Sequence, residues 1–225
     1  GRAGRNHKSL AKQTAKLLRD PTGPSVAVFD LDGFDTHAAQ GGIYGRHADH
    51  LKDINDIVNE LTENLGESFE NTLILTLTEF GRTISQNGGN GTEHGWGSAI
   101  LMAGGLIKKA QVHTDWPGLK KKDLFEGRDL LSTLDARAVY LSAMAVCFNV
   151  GPERLRRDVF WGENILFCRV GTYLHTTVSK TFTFIYPPWR NRRSVYLRGL
   201  PVSLFPLATL TLRIFVLSPF KKPAK

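Results

Sequence analysis

A long amphipathic helix pattern lies between two strand-like apolar runs, and this alternation constrains the fold more than any other feature of the chain. In Arg46–Leu65, apolar residues recur every three or four positions and charged residues fill the opposite face, which predicts a helix that packs through one side. Ser25–Phe29 and Thr72–Thr78 are rich in residues typical of strands. Further helices are predicted at Ser9–Leu18 and Asp135–Phe148. Together these elements predict an α/β fold with a parallel or mixed sheet that helices cover on both faces.

Carboxylates and imidazoles are concentrated after the two predicted strands. In an open α/β sheet, ligands and catalytic groups gather at the carboxyl ends of the strands. Oxygen and imidazole ligands suit Zn, Mn or Fe rather than a thiolate site. Each fragment taken singly is more typical of a turn, and only the joint placement favours a metal site. The candidate metal ligands are Asp32, Asp35, His37, Glu79, Glu93 and His94.

Three further features near these residues have two interpretations each. Arg82 is a candidate catalytic residue that could hold an oxyanion bidentately, or it could simply pair with an acid. The glycine-rich loop Ser85–Gly91 could present backbone amides to an anionic substrate, or act as a spacer. His47 and His50 share a helix face and could be paired ligands, but near the start of an amphipathic helix solvent exposure is the favoured prediction.

Four short motifs follow one another in a specific order and spacing. They are Phe34-Asp35-Thr36-His37 with Gln40, Thr78-Glu79-Phe80-Gly81-Arg82-Thr83, Gly91-Thr92-Glu93-His94-Gly95-Trp96-Gly97 and Asp115-Trp116-Pro117-Gly118-Leu119. In these motifs the chain resembles the bacterial DUF1501 family, which is related to the alkaline phosphatase and sulfatase superfamily. The resemblance covers residues 7–163 and implies an alkaline phosphatase-like sheet sandwiched by helices.

The resemblance also implies roles for the matching residues. His37 and His94, with Asp32 or Asp35, match one metal site of the superfamily, and Glu79 matches a carboxylate ligand of a second. The expected cofactor is a divalent metal, Zn before Mn or Fe.

The chain departs from the superfamily pattern in three respects. Phe80 follows Glu79 where the phosphatases have a histidine. Glu93 stands where the family more often has aspartate, so this longer side chain is either a ligand or a group behind one. The superfamily nucleophile and one metal-binding aspartate belong to the start of the fold, and we expect this chain to begin after them, with a domain incomplete at its N-terminus.

The charge of the chain is divided unevenly along its length. The net charge is +8, from 29 Lys and Arg against 21 Asp and Glu. Residues 165–225 contain ten basic residues and no acid, which leaves 19 basic against 21 acidic residues, a net of −2, in residues 1–164. The sequence therefore predicts a partial α/β domain at 1–163 and a basic, apolar tail at 164–225.

The tail has three interpretations. A membrane anchor is not favoured, because Pro201, Pro206 and Arg213 interrupt the apolar run. A nucleic-acid-binding arm is not expected, because the aromatic residues match no recognised module. The favoured interpretation is a segment that is not an evolved part of the domain. We therefore expect residues 165–225 neither to complete the sheet nor to contribute to the metal site.

These features predict a fragment of a metal-dependent hydrolase that acts on phosphate or sulfate esters and has lost its nucleophile. Its partner would be a small anionic ester, whose phosphoryl or sulfuryl oxygen a divalent metal can polarise. The alternative is a non-catalytic exported or surface protein that keeps the fold and a structural metal. The resemblance implies a periplasmic or exported location, although no signal peptide is visible in the chain.

Overall fold

The computed structural model describes residues 2–107, 112, 114–163, 165 and 211–218. Within these ranges the α-helices are α1 (Arg2–Arg19), α2 (Arg46–Leu65), α3 (Ala136–Phe148) and α4 (Pro152–Asp158). The strands are β1 (Val26–Asp32), β2 (Leu73–Leu77), β3 (Gly81–Arg82), β4 (His94–Gly95), β5 (Met102–Ala103) and β6 (Thr211–Leu217). Short 3-10 helices lie at Gly66–Asn71 and Lys121–Asp123.

Helix α2 has the bounds that its amphipathic pattern predicts. Its buried face includes Ile54, Ile57, Leu61 and Leu65, which recur at helical spacing. The helix ends where Gly66 takes a positive φ of 56°, a conformation that costs glycine little. The prediction of exposure for the first turn is wrong at His47, which is fully buried.

The main sheet has the strand order β1-β6-β2-β5, and every pair of neighbours in it is antiparallel. Strands β1 and β2 therefore run in the same direction but are separated by β6. The α/β class is confirmed, whereas the described strands pair in antiparallel rather than parallel fashion. A second, two-stranded sheet joins β3 and β4.

Two apolar clusters cover the two faces of the main sheet. In the first cluster, α1 and α2 pack against every second residue of the strands. In the second, α3 and α4 pack against the intervening strand residues, which point to the opposite face. Because successive strand residues point to opposite faces, β6 contributes to both clusters. Ile214 and Val216 belong to the first cluster, whereas Phe215 and Leu217 pack into the second. Helices thus lie on both faces of the sheet.

The expectation that the tail stays out of the sheet is wrong for β6, which is a central strand. Its full register with β1 runs from Val26 opposite Leu217 to Asp32 opposite Thr211. A strand buried on both faces reads as a continuous apolar run without clear alternation, which is why its pattern gave no strand signal. Residues 166–210 and 219–225 lie outside the described residues. Among the described helices, none is both long and apolar enough to cross a membrane.

Candidate metal centre

The small β3–β4 sheet places His94 opposite Arg82. The two strands can approach closely only because both Gly81 and Gly95 lack a side chain. A Cβ on Gly81 would lie 1.7 Å from the carbonyl oxygen of Gly97, and a Cβ on Gly95 would lie 2.5 Å from the carbonyl oxygen of Arg82. The glycines of these two motifs therefore permit the close backbone packing around the pair Arg82 and His94.

A second close backbone contact places His37 beside the loop that leads to His94. The amide of Gln40 donates to the carbonyl of Asn90 at 2.9 Å, and the amide of Thr92 donates to the carbonyl of Thr36 at 3.1 Å. A Cβ on Gly91 would lie only 2.3 Å from the Thr36 carbonyl oxygen. The two segments thus pack backbone against backbone, and residues distant in sequence meet at the site.

The side chains of Asp35, His37 and His94 form a compact triangle of potential ligand atoms. Nε2 of His37 lies 3.0 Å and Nε2 of His94 lies 3.2 Å from Oδ1 of Asp35. The two Nε2 atoms are 3.1 Å apart. In a tetrahedral site with ligand distances of about 2.0–2.1 Å, neighbouring ligand atoms lie about 3.3 Å apart. The triangle therefore has about the size of one face of a tetrahedral metal site.

Solvent can reach the open side of this triangle. The side chain of Asp35 is 19% exposed, and those of His37 and His94 are 43% and 48% exposed. Three protein ligands that leave a coordination position accessible are typical of catalytic rather than structural zinc sites, which are closed by four protein ligands.

Asp35 is held from the buried side by Arg82. The guanidinium is almost fully buried, and its Nη1 donates to Oδ1 of Asp35. Its Nε donates to Oγ1 of Thr92 at 3.0 Å, and its Nη2 donates to the Thr92 carbonyl. All three nitrogens of the guanidinium thus have partners within the protein. Of the two interpretations of Arg82, the arrangement favours the arginine that pairs with an acid, while its catalytic role stays a prediction.

His37 is oriented by Glu93, which lies on the outer side of the imidazole. Oε2 of Glu93 is 2.8 Å from Nδ1 of His37, the ring nitrogen that faces away from the triangle. Hydrogen bonds from Asn87 and then from His37 hold the pKa of Glu93 below its usual value. Metal-binding histidines commonly donate their second ring N–H to a carboxylate in this way. Glu93 therefore lies where a carboxylate would orient a metal-binding histidine, and it is not itself a member of the triangle.

His94 is oriented by a ring rather than by a carboxylate. The ring of Phe80 stacks on the imidazole with centroids 3.9 Å apart and planes inclined by 27°. Phe80 therefore restricts the imidazole through packing.

Asp32 and Glu79, two of the six predicted ligands, do not join this group. Both are exposed, at the end of β1 and after β2 respectively, and the group that could hold a metal within the described residues consists of the triangle alone. The glycine-rich loop also differs from the amide-donor interpretation, because the amides of Gly89 and Gly91 donate to Oδ1 of Asn87. These amides are directed into the loop itself.

His47 is buried below the site and has no hydrogen-bond partner for either ring nitrogen within the described residues. Burial, and to a smaller extent the electrostatic effects of His50 and Arg82, lowers the pKa of His47 to about 4. The imidazole is therefore neutral at pH 7. Its edge packs on the ring of Phe34, with centroids 6.0 Å apart. Its role is that of a core residue and not of a paired ligand with His50.

Comparison with known proteins identifies the family of the chain. The model of the family described as "Protein of unknown function (DUF1501)" matches residues 4–156, which is more than half of the chain. No curated protein and no solved structure matches the chain. The matched range includes each residue of the triangle together with Arg82, Asn87 and Glu93, and on this basis the chain belongs to the DUF1501 family.

Proposed function

We propose that Asp35, His37 and His94 bind one divalent metal ion, Zn in preference to Mn or Fe, and that this site belongs to a hydrolase acting on phosphate or sulfate esters. The observation that carries the proposal is the triangle of ligand atoms with edges of 3.0–3.2 Å. A carboxylate oxygen with two imidazole nitrogens is a donor set that suits these metals. A bound ion supplies Lewis acidity towards a phosphoryl or sulfuryl oxygen.

The residues around the triangle have distinct supporting roles in this proposal. Arg82 fixes the rotamer of Asp35 and offsets its negative charge, since its guanidinium is committed to Asp35 and Thr92. Glu93 and Phe80 fix the rings of His37 and His94. Ligands held in this way lose little conformational freedom when a metal binds, which favours a preformed site. The exposed side of the triangle is where a small anionic ester would approach.

A second candidate function is supported by a different observation. Asp32 and Glu79 lie outside the group that could hold a metal, and Arg82 is engaged with Asp35. In a site with one metal, the adjacent arginine already pairs with the ligand Asp35, so its guanidinium is not free for a substrate. This arrangement fits a non-catalytic, exported or surface protein in which the ion only stabilises the fold. The resemblance of the motifs to the alkaline phosphatase and sulfatase superfamily favours the enzyme, and the two functions are separated by activity measurements on the metal-loaded protein.

The test combines metal binding with hydrolysis. Purified chain is stripped with chelator, reloaded with Zn, and examined by elemental analysis and by release of nitrophenol from nitrophenyl phosphate and nitrophenyl sulfate. The matched variants are His37→Ala, His94→Ala and the control His7→Ala, which changes a histidine of α1. We expect one Zn per chain in wild type and His7→Ala and none in the other two. Hydrolysis by the Zn-loaded chain would support the enzyme. Zinc binding without hydrolysis would keep the metal site and exclude activity of the chain by itself, and absence of bound Zn would refute the proposal.

A further inference from the structure

We propose that Asn87 is a positioning residue for the metal ligand His37, and that it acts by holding the Glu93 carboxylate against the outer side of the imidazole. The inference rests on the metal site proposed above but concerns a residue of the glycine-rich loop that has no ligand atom in the triangle.

The side-chain amide of Asn87 uses its full hydrogen-bonding capacity. Nδ2 donates to the carbonyl oxygen of His37 at 2.8 Å and to Oε1 of Glu93 at 2.5 Å. Oδ1 accepts from the amides of Gly89 at 3.0 Å and Gly91 at 2.9 Å. An asparagine amide has two donor hydrogens and an acceptor oxygen with two lone pairs, so every one of them is used. If the amide were flipped, its NH₂ group would face the backbone amides of Gly89 and Gly91, and its oxygen would face the oxygens of His37 and Glu93. The hydrogen bonds therefore fix its orientation.

These four bonds connect the loop to the site through one residue. The two bonds to glycine amides close the loop around Asn87, and the bond to the His37 carbonyl attaches the loop to the backbone of the ligand. The fourth bond reaches Glu93. The loop, the backbone of His37 and the carboxylate behind His37 therefore share a single connecting side chain.

Glu93 needs such a support because its side chain is about half exposed. A free glutamate at the surface samples several rotamers, and ordering it has an entropic cost. Its two oxygens are instead divided between two partners, Oε1 for Asn87 and Oε2 for Nδ1 of His37 at 2.8 Å. When a metal occupies Nε2, the proton of neutral His37 lies on Nδ1, where the fixed Glu93 carboxylate accepts it.

The arrangement predicts that the order of the loop and the affinity for metal are coupled. Removal of a group behind a ligand typically lowers metal affinity 10–100-fold. Because coupling between two equilibria is reciprocal, bound metal should also protect the loop. Asn87 lies one step further from the metal than Glu93, and its loss should approach the effect of losing Glu93 itself.

The sharpest variant is Asn87→Asp. An aspartate keeps the acceptor for the amides of Gly89 and Gly91, so the loop remains closed, but it donates neither to Glu93 nor to the His37 carbonyl and repels the Glu93 carboxylate. We expect Zn affinity, measured by competition with a chromophoric chelator, to fall about 10–100-fold. In metal-free protein, Glu93 and Asp35 compete for the ring proton of His37, so the ¹⁵N shifts of the ring should move towards those of the Nε2-protonated tautomer.

The double variant Asn87→Asp with Glu93→Gln tests the mechanism. It exchanges donor and acceptor across the same contact, because the introduced glutamine can donate to the introduced aspartate while its oxygen accepts from Nδ1 of His37. We expect the double variant to recover the part of the lost affinity that depends on Glu93, so that the two substitutions are strongly non-additive. A merely structural role of Asn87 in the loop would give no such recovery.

Each outcome decides the inference. Glu93→Ala changes an exposed side chain, so it remains informative even if Asn87→Asp fails to fold, and it should show the same tautomer change and loss of affinity. Wild-type affinity in Asn87→Asp, or a double variant that binds no better than Asn87→Asp, would overturn the inference while leaving the metal site intact. If wild type binds no Zn, the proposed function fails, and an unchanged His37 tautomer in the metal-free variants would then refute the positioning role separately.

Discussion

The buried imidazole of His47 couples the stability of the fold to pH. Its pKa is lowered to about 4 by burial and, to a smaller extent, by the electrostatic effects of His50 and Arg82, whereas an unfolded histidine titrates near 6.5. Between these two values the unfolded chain binds a proton that the native state does not. The contribution of the neutral ring to the free energy of unfolding is therefore fully present above pH 6.5, and it is lost as the pH falls towards 4.

We predict that replacing His47 with leucine removes this part of the pH dependence. In wild type the free energy of unfolding should drop by up to about 3 kcal/mol between pH 6.5 and pH 4 through this group. His47→Leu also removes two buried ring nitrogens that have no partner among the described residues, so its stability at pH 7 should be unchanged or higher. Urea unfolding of both proteins at several pH values measures the difference. Parallel pH profiles would show that His47 is accessible to protons in the native state.

Gly91 and Gly88 lie in one loop but differ in the space around them. A Cβ on Gly91 would lie 2.3–2.5 Å from backbone atoms of Thr36 and His37, whereas one on Gly88 would meet nothing within 4 Å among the described residues. We predict that Gly91→Ala displaces His37, lowers Zn affinity at least about tenfold and costs about 1–3 kcal/mol of stability. Gly88→Ala is the matched control and should leave both quantities nearly unchanged. Zinc titration and urea unfolding provide the readouts, and equal effects of the two substitutions would refute the close contact.

The sequence was informative about the chemistry of individual residues and much less about their partners. The residue types and motif order singled out Asp35, His37 and His94, which do meet. They also singled out Asp32 and Glu79, which do not join them, because position at a strand end does not determine the direction of the following loop. Asn87 was missed since an Asn-Gly pair is a common turn signal whatever the side chain binds.

At the scale of elements, the prediction succeeded where one periodicity dominated. Helix α2 was predicted with its correct bounds because its apolar stripe is uninterrupted, and β2 was predicted to within a residue at each end. Strand β6 was missed because it is buried on both faces and its partners lie far away in sequence. The local sequence pattern of a segment does not show which distant strands offer an unpaired edge to it.

We predict that β6 is required for the stability of the sheet, contrary to the expectation from its sequence. Ile214 is fully buried in the first cluster, and Ile214→Ala should cost about 2–5 kcal/mol. Arg213 is the neighbouring control, because it is half exposed and pairs with Asp30 at the surface. Arg213→Ala should cost no more than about 1 kcal/mol. Chemical unfolding of both variants makes the comparison, and an Ile214→Ala variant as stable as wild type would exclude β6 from the sheet.

At the scale of the whole molecule, ligands supplied by two separate segments make metal binding dependent on folding. Asp35 and His37 follow β1, whereas His94 belongs to β4, so the unfolded chain does not hold the triangle together. An ion that binds only the native state stabilises it by mass action.

We predict a thermal shift on metal binding. At a free Zn concentration about one hundred times the dissociation constant, the native state should gain about 2.7 kcal/mol. For a chain of this size that corresponds to a rise in Tm of about 5–10 °C. Scanning calorimetry with Zn and with chelator measures the shift, and His94→Ala should show none. A shift of equal size in His94→Ala would place the stabilising ion elsewhere in the molecule.

The central position of β6 also affects how the protein is made. A ribosome that adds about 5–20 residues per second needs roughly 7–27 seconds to proceed from the end of β2 to the start of β6. During that interval β1 and β2 have both been synthesised, but the strand that separates them does not yet exist. Each presents an unpaired edge that can recruit a strand from another nascent chain. Expression of this protein should therefore depend on chaperones that cover such edges until synthesis has passed residue 218.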